Sequence, residues 1–395
     1  MTLSVRHLGS LAKDATSGAT ATSWNALWRD TPGANPFTRW EWLHALEASG
    51  CAVPEAGWVA HHLGLFDGTE LVGALPLYEK HDSDGDFSRD WDWAAAAERA
   101  RIVYYPKLIA SVPFTPVTGA RLLTRAGVDR AEAARLLLGA AQALLREVRG
   151  GGLHVLFPTD EESRLFESLG MARRIAYQYH FHNAGYRTPD DLLARFDSKR
   201  RNTAKRERRA PAEQHIALRT ARGAEVAADP ARWATLAHKL HRSTVDKLVW
   251  GRRWLNQDFY QRIFATMPEH LELVIAEREG NVVAGAFNVS DATHLYGRYW
   301  GCFEEHPFLH FNVCLYHSID DVIARGLSVM EGGAGGEHKV PRGFEPSETF
   351  STHLFADPRL DVPLRDHIAG EAAERERALD AYRARSPIFK RAAQP

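Results

Sequence analysis

At 395 residues the chain exceeds the usual size of one domain, and two domains are expected. Apolar residues make up 45% and charged residues 25%, an ordinary globular composition, and Lys+Arg 49 against Asp+Glu 50 leaves a net charge of −1. Charge as a whole therefore argues neither for nor against a nucleic-acid partner, and any electrostatic site must be read locally. Cys51, Cys302 and Cys314 are too few and too scattered for a disulfide framework or a zinc site. The start lacks a signal-peptide core, and no apolar run approaches the roughly 20 residues of a membrane span. A cytoplasmic protein is expected.

In chain order, residues up to Thr22 are small and polar and read as loosely ordered. Trp24–Trp28 and Phe37–Ser49 read as helices, the second opened by Asn35-Pro36. His62–Phe66, a turn at Asp67-Gly68 and Leu71–Leu75 read as a hairpin. An insertion, Glu79–Ser111, is acidic at first (Asp82, Asp84, Asp86) and then aromatic, with Trp91-Asp92-Trp93 and Tyr104-Tyr105-Pro106-Lys107. It reads either as a specificity element or as a surface excursion packed by its own aromatics. A strand at Val112–Leu123, a helix at Ala131–Val148 stopped by Gly150-Gly151-Gly152, and a strand at Leu153–Phe157 follow. Next come a helix at Glu161–Leu169 and a strand at Ile175–His182, with a boundary at Asn183-Ala184-Gly185.

Beyond the boundary, Asp190–Arg209 reads as one helix, acidic at its start and basic at its end, an order that suits the helix dipole. Helices at Arg232–Lys247 and Asn256–Thr266 precede a second hairpin, Leu273–Ala276 and Val283–Phe287 around Glu279-Gly280. A strand at Thr293–Trp300, a helix at Phe311–Arg325, a strand at Leu327–Glu331 and a charged tail helix at Leu364–Arg385 complete the pattern. Each hairpin is followed by strand, helix, strand. This repetition predicts a duplicated mixed α/β unit: one lobe over 1–185 carrying the 79–111 insertion, a second over 186–395, and a cleft between them.

Only the second copy ends in a dense polar motif, Glu331-Gly332-Gly333-Ala334-Gly335-Gly336-Glu337-His338-Lys339, with Arg342 shortly after. Glycines at this density let the backbone approach a ligand, whereas a tight structural turn is the plainer reading. The spacing fits neither a dinucleotide fingerprint nor a P-loop. Glu and His are common proton-transfer groups, so Glu337, His338 and nearby His310 are the candidate catalytic residues. Alternation along the preceding strand sends Tyr296, Arg298 and Trp300 to one face, more a binding wall than a core. Pro307 stands where a zincin would need Glu after His306, and no metal is expected. Lys199, Arg200, Arg201, Lys205 and Arg206 form a basic run that is either a solvated helix face or a phosphate-binding one. No G-x-S-x-G elbow occurs.

The order hairpin, strand, helix, strand resembles the GNAT acyltransferase fold, and two such units resemble FemAB-like proteins. Tyr104–Lys107, Val112–Gly119, Leu295–Cys302, His306–His310 and Gly335–Lys339 are similar to motifs of the predicted N-acyltransferases labelled "peptidoglycan biosynthesis/recognition", over about Asn35 to Pro387. That resemblance implies a tandem GNAT fold and acyl transfer to an amine. Arg298–Phe303 matches only the first part of the usual CoA-pyrophosphate loop, and Glu304–His310 intervenes before the helix. FemAB relatives use aminoacyl-tRNA, which the basic run would suit. The expectation is an N-acyltransferase with acyl-CoA, an acyl carrier or aminoacyl-tRNA as co-substrate and no permanently bound cofactor. The acceptor would be a small-molecule, peptide or lipid amine. Glu337 or His338 would take the amine proton. Trp91, Tyr105, Lys107, Tyr296, Arg298, Trp300, Lys339 and Arg342 would bind substrate. The basic run with Gly333, Gly335 and Gly336 would hold the donor. The alternative is a non-catalytic module that binds tRNA or a cell-wall precursor.

Overall fold

A computed structural model describes residues 3–12, 18–249 and 251–385. The chain forms two compact units, one of residues 1–176 and 348–375, the other of 177–347 and 376–395. It passes from the first to the second after Ala176 rather than at Gly185, and it returns to the first at Glu348. The return has a simple cause: Ser351–Phe355 pairs antiparallel with Gly152–Leu156 and becomes part of the first unit's sheet.

In the first unit His62–Asp67 and Glu70–Leu75 form the expected hairpin, turned at Gly68 with φ +58°. Leu3–Gly9 adds to its outer edge, so the start of the chain is a strand rather than loose coil; residues 13–17 lie outside the described residues. The helix Arg130–Glu147 opens at Asp129, whose carboxylate accepts from the Ala131 and Glu132 N–H groups. Its Ala134, Leu137, Leu138, Ala141 and Leu145 recur at helical spacing and enter the core beside Leu63, Leu65 and Leu153. The expected strand Val112–Leu123 is mostly irregular, with only Leu123–Thr124 paired. Pro113 and Pro116 supply no N–H. Fully buried Arg121 takes a partner strand's place, donating to the carbonyls of Val117 at 2.7 Å and of Gly119 and Leu156 at 2.9 Å. The insertion is not a surface excursion. It contributes the helix Trp91–Arg99 and the strand Lys107–Ala110, which pairs parallel with Gly152–Leu156.

The second unit repeats the element order. Ala217–Arg222 pairs with the hairpin Leu271–Arg278 and Asn281–Ser290, and His294–Cys302 follows beside it. Val329–Glu331 then pairs parallel with His294–Tyr296, and His180–His182 lies on its far side. Two longer helices stand between the outer strand and the hairpin in each unit: Ala21–Asp30 and Trp40–Ala48, then Pro230–Val245 and Gln257–Thr266, the second pair preceded by the short helix Ala224–Ala228. Leu271–Ala276 is buried without alternation because both faces of this sheet are covered. On one face, a Cβ at Gly301 would lie 1.9 Å from the Leu240 carbonyl oxygen, so glycine lets the helix Pro230–Val245 sit directly on the strand. On the other, Leu309 and Val313 pack onto Val274, Ala276 and Ala284.

Two helices differ from expectation. Asp190–Arg209 is broken into Pro189–Arg195 and Ser198–Glu213, because Asp197 leaves helical geometry and caps the Arg200 N–H at 2.8 Å. The helical segment Leu309–Arg325 contains a π turn over Asn312–Tyr316. The tail helix runs Pro358–Arg385, and the end of the family resemblance at Pro387 lies outside the described residues.

Candidate active site

The site grows from an interruption in strand pairing. Phe287 opposes Tyr299 and Asn288 opposes Gly297, so Arg298 is the extra residue of a β-bulge. Pairing between His294–Cys302 and Val329–Glu331 stops at Tyr296 and Glu331. Beyond that point the strands separate and leave a cavity of about 100 Å³. Asn288 and Gly297 through Trp300 line it from the sheet. His310, Cys314 and Leu315 line it from the helical segment, and Gly332, His338 and Lys339 from the glycine-rich loop. The π turn places Cys314 and Leu315 against the cavity, and such turns recur at functional sites.

The loop is shaped by backbone that side chains disfavour. Gly333, Gly335 and Gly336 have φ of +78°, +79° and +95°. This turns two carbonyls onto one cation: Lys339 Nζ donates to Gly333 O at 2.6 Å and Gly335 O at 2.7 Å. Lys339 is only 4% exposed, and burial lowers its ammonium to about 8. Burial, with help from His338, Arg342 and Lys339, lowers His310 to about 4. His338 is lowered as well, by burial and then by Lys339 and Arg342. Both imidazoles are therefore neutral at pH 7, with ring centres 6.0 Å apart. Burial pushes the Cys314 thiol up, which makes it a poor nucleophile.

Of the residues expected from sequence, His310, His338, Lys339, Arg298 and Trp300 meet at this cavity; of the loop glycines Gly332 lines it, and the expected Gly333, Gly335 and Gly336 do not. Glu337 is exposed and outside the lining. Tyr296 does not share a wall with Arg298 and Trp300. It lies before the bulge, is 3% exposed, and its hydroxyl donates to Asp291 at 3.0 Å. Arg342 is committed to Glu207 through two bonds of 2.9 and 3.0 Å and lies over the Phe311 ring.

Lys199, Lys205 and Arg206 are exposed on the helix Ser198–Glu213, while Arg200 and Arg201 are half-buried. Arg208 of the same helix faces inward and pairs with Asp320 at 2.6 Å. Trp91, Tyr105 and Lys107 belong to the first unit. Trp91 is 62% exposed. The Tyr105 and Ser83 hydroxyls share a hydrogen bond of 2.7 Å. Lys107 has no exposed surface; its ammonium contacts Asp86 at 2.8 Å, Asp90 at 2.5 Å and Ser83 at 2.7 Å. A buried ammonium needs such partners, and this one is a structural cation rather than an open wall.

Asn288 was not anticipated. It is 2% exposed, lines the cavity, and its amide nitrogen has no hydrogen-bond partner among the described residues. The signal was a single amide inside the apolar run Val282–Val289. Among the described residues no cluster of His, Cys, Asp and Glu could hold a metal ion, and no helix is long and apolar enough to cross a membrane.

The repeated order of strand, two longer helices, hairpin, strand, helix and strand, with a cavity at the parted strands of the second copy, defines a tandem GNAT-like protein. The family model for FemAB-like proteins, described as peptidoglycan biosynthesis/recognition, matches residues 16–391, and the chain belongs to that family. Among solved structures, FemX aligns with TM-score 0.53 and 12% identity, covering 88% of this chain and 98% of that one. The C-terminal domain of a putative lysylphosphatidylglycerol synthetase from Agrobacterium fabrum aligns with TM-score 0.50 and 9% identity, covering 88% and 95%. At these identities the likeness is one of fold. A search of curated proteins gave no significant match.

Proposed function

We propose that the second unit transfers an acyl or aminoacyl group from an activated donor to a primary amine. The observation that carries this reading is the chemistry of the parted-strand cavity, where two neutral imidazoles and two cationic side chains converge. An amine attacks only when unprotonated. Arg298 and Lys339 disfavour an ammonium beside them, and His310 or His338 accepts the proton released as the new C–N bond forms. The carbonyl electron pair moves onto oxygen, and Lys339 with nearby backbone N–H groups stabilises that oxyanion. Collapse breaks the bond to the leaving thiol or hydroxyl, which recovers the proton from the imidazolium. Family membership supports transfer chemistry, and the name lysylphosphatidylglycerol synthetase describes an aminoacylated product for one structural neighbour.

The exposed cations Lys199, Lys205 and Arg206 favour a phosphate-rich donor, with aminoacyl-tRNA and acyl-CoA both of that class. Incubating the full chain with either donor and a panel of primary amines, and following amide formation by mass spectrometry, tests the reading. Amide from at least one donor is expected. Salt-sensitive RNA retention with no amide from any donor would instead support a binding module.

A further inference from the structure

The cavity has an inner wall on which the transfer chemistry gives Asn288 no part. Asn288 lies across from Gly297 in the ladder, and Arg298 is the bulged residue next to it, so the two occupy adjoining positions on neighbouring strands. Both line the cavity. Asn288 is almost completely buried, and its amide nitrogen finds no partner among the described residues. Burying an amide without a hydrogen bond is costly, so the unmet polar atom of a residue that lines a cavity marks a ligand contact.

We infer that Asn288 and Arg298 form a carboxylate subsite, and that the amine acceptor is an amino acid or short peptide whose free carboxylate sits there. This rests on the proposed acyl transfer to an amine.

Three features select a carboxylate. An amide NH2 and a guanidinium together present only donors, and a guanidinium fits a carboxylate through two parallel bonds. Among the described residues lining the cavity there is no Asp or Glu, while Arg298 and Lys339 both contribute positive charge. Burial lowers the pKa of Arg298 despite Tyr299, Tyr260 and Glu331 around it, so a further anion is favourable there. Size narrows the choice. About 100 Å³ admits a group of amino-acid dimensions, whereas pockets for drug-sized ligands run to about 300–1,000 Å³. A sugar or nucleotide would have to remain outside.

The test needs no donor. Glycine, L-alanine and L-alanyl-L-alanine are titrated into the full chain by calorimetry, each beside its C-terminal carboxamide. The acids are expected to bind at least about tenfold more tightly than the carboxamides. Asn288→Asp, nearly the same shape but with the opposite demand on the ligand, should abolish that preference while keeping the thermal melt of the parent. Arg298→Met should weaken the acids and leave the carboxamides unchanged. Equal affinity for acids and carboxamides, or binding of neither, overturns the subsite. The two ideas fail separately. Transfer to alaninamide as efficient as to alanine would remove the subsite and keep acyl transfer. Carboxylate-selective binding with no transfer from any donor would keep the subsite and remove acyl transfer.

Discussion

Lys339 has two tasks in tension. Its ammonium holds the carbonyls of Gly333 and Gly335, which requires protonation, yet burial lowers its pKa to about 8. If the charged form supports the loop and the oxyanion, activity falls as pH rises through about 8. On the acid side, activity falls only when the imidazoles protonate, below their ordinary range, with His310 at about 4. A bell-shaped profile of kcat is therefore expected, broad on its acid side. Lys339→Met should lower kcat by about 10²-fold or more, as loss of one oxyanion donor does, and remove the alkaline limb. An unchanged alkaline limb would assign it to another group.

Lys107 makes the opposite case at the same scale. Here the ion pairs are complete, and the expected effect is on stability. Lys107→Met strands two buried carboxylates, Asp86 and Asp90, and should destabilise by about 3–5 kcal/mol in urea melts, the usual range for breaking a buried pair. Where the variant is folded, its KM for amine should match the parent. A raised KM with unchanged stability would restore Lys107 to the substrate wall expected from sequence.

At the scale of elements, Glu207 ties the helix Ser198–Glu213 to the turn Glu337–Arg342. It accepts two bonds from Arg342 and a third from the Tyr316 hydroxyl at 2.7 Å, and its own carbonyl accepts from Asn312. The helix bearing the exposed cations is thus fixed to the segment bearing His338 and Lys339. Glu207→Gln retains shape but leaves the Arg342 charge without its counter-ion. It should raise the KM for donor and lower stability together, read from kinetics and melts of the same preparation. A second element-level effect concerns the facing strands Gly152–Leu156 and Ser351–Phe355, where His154 and His353 share a hydrogen bond of 2.9 Å in a fully buried setting. Burial lowers His154 to about 3 and His353 well below 6.5. The unfolded chain binds these protons first. Stability is therefore full above about pH 6.5 and declines as pH falls toward 3, by on the order of 1–2 kcal/mol per histidine at pH 5. His154→Phe should flatten that decline; an equally steep decline in the variant would place the acid sensitivity elsewhere.

At the scale of the whole molecule, the duplication was legible because each hairpin carries its own turn glycine and each is followed by a strongly periodic helix, Arg130–Glu147 or Leu309–Arg325. The site was legible in part. The glycine-rich loop with His338 and Lys339 stood out by composition, and His310 by proximity in sequence. Three things were hidden. The bulge at Arg298 depends on how two strands register, which alternation within one strand does not reveal. The burial of Lys107 depends on acids some twenty residues away in sequence folding back on it. Asn288 reads as an ordinary strand residue, and only the folded sheet shows that it lines a cavity with its amide nitrogen unmet. The return of Glu348–Arg375 to the first unit was hidden for the same reason, since it rests on pairing between strands far apart in sequence.

The proposed chemistry lies entirely in the second copy, and one measurement tests that claim most directly. Amide formation from an activated donor and a primary amine would be followed by mass spectrometry under single-turnover conditions. The wild-type chain would be compared with a His310→Ala/His338→Ala variant confirmed by its thermal melt. Removing a general base typically lowers rates by about 10²- to 10⁴-fold, and a fall of that size with binding retained is predicted. Amide formed by the folded double variant at the wild-type rate would contradict the account.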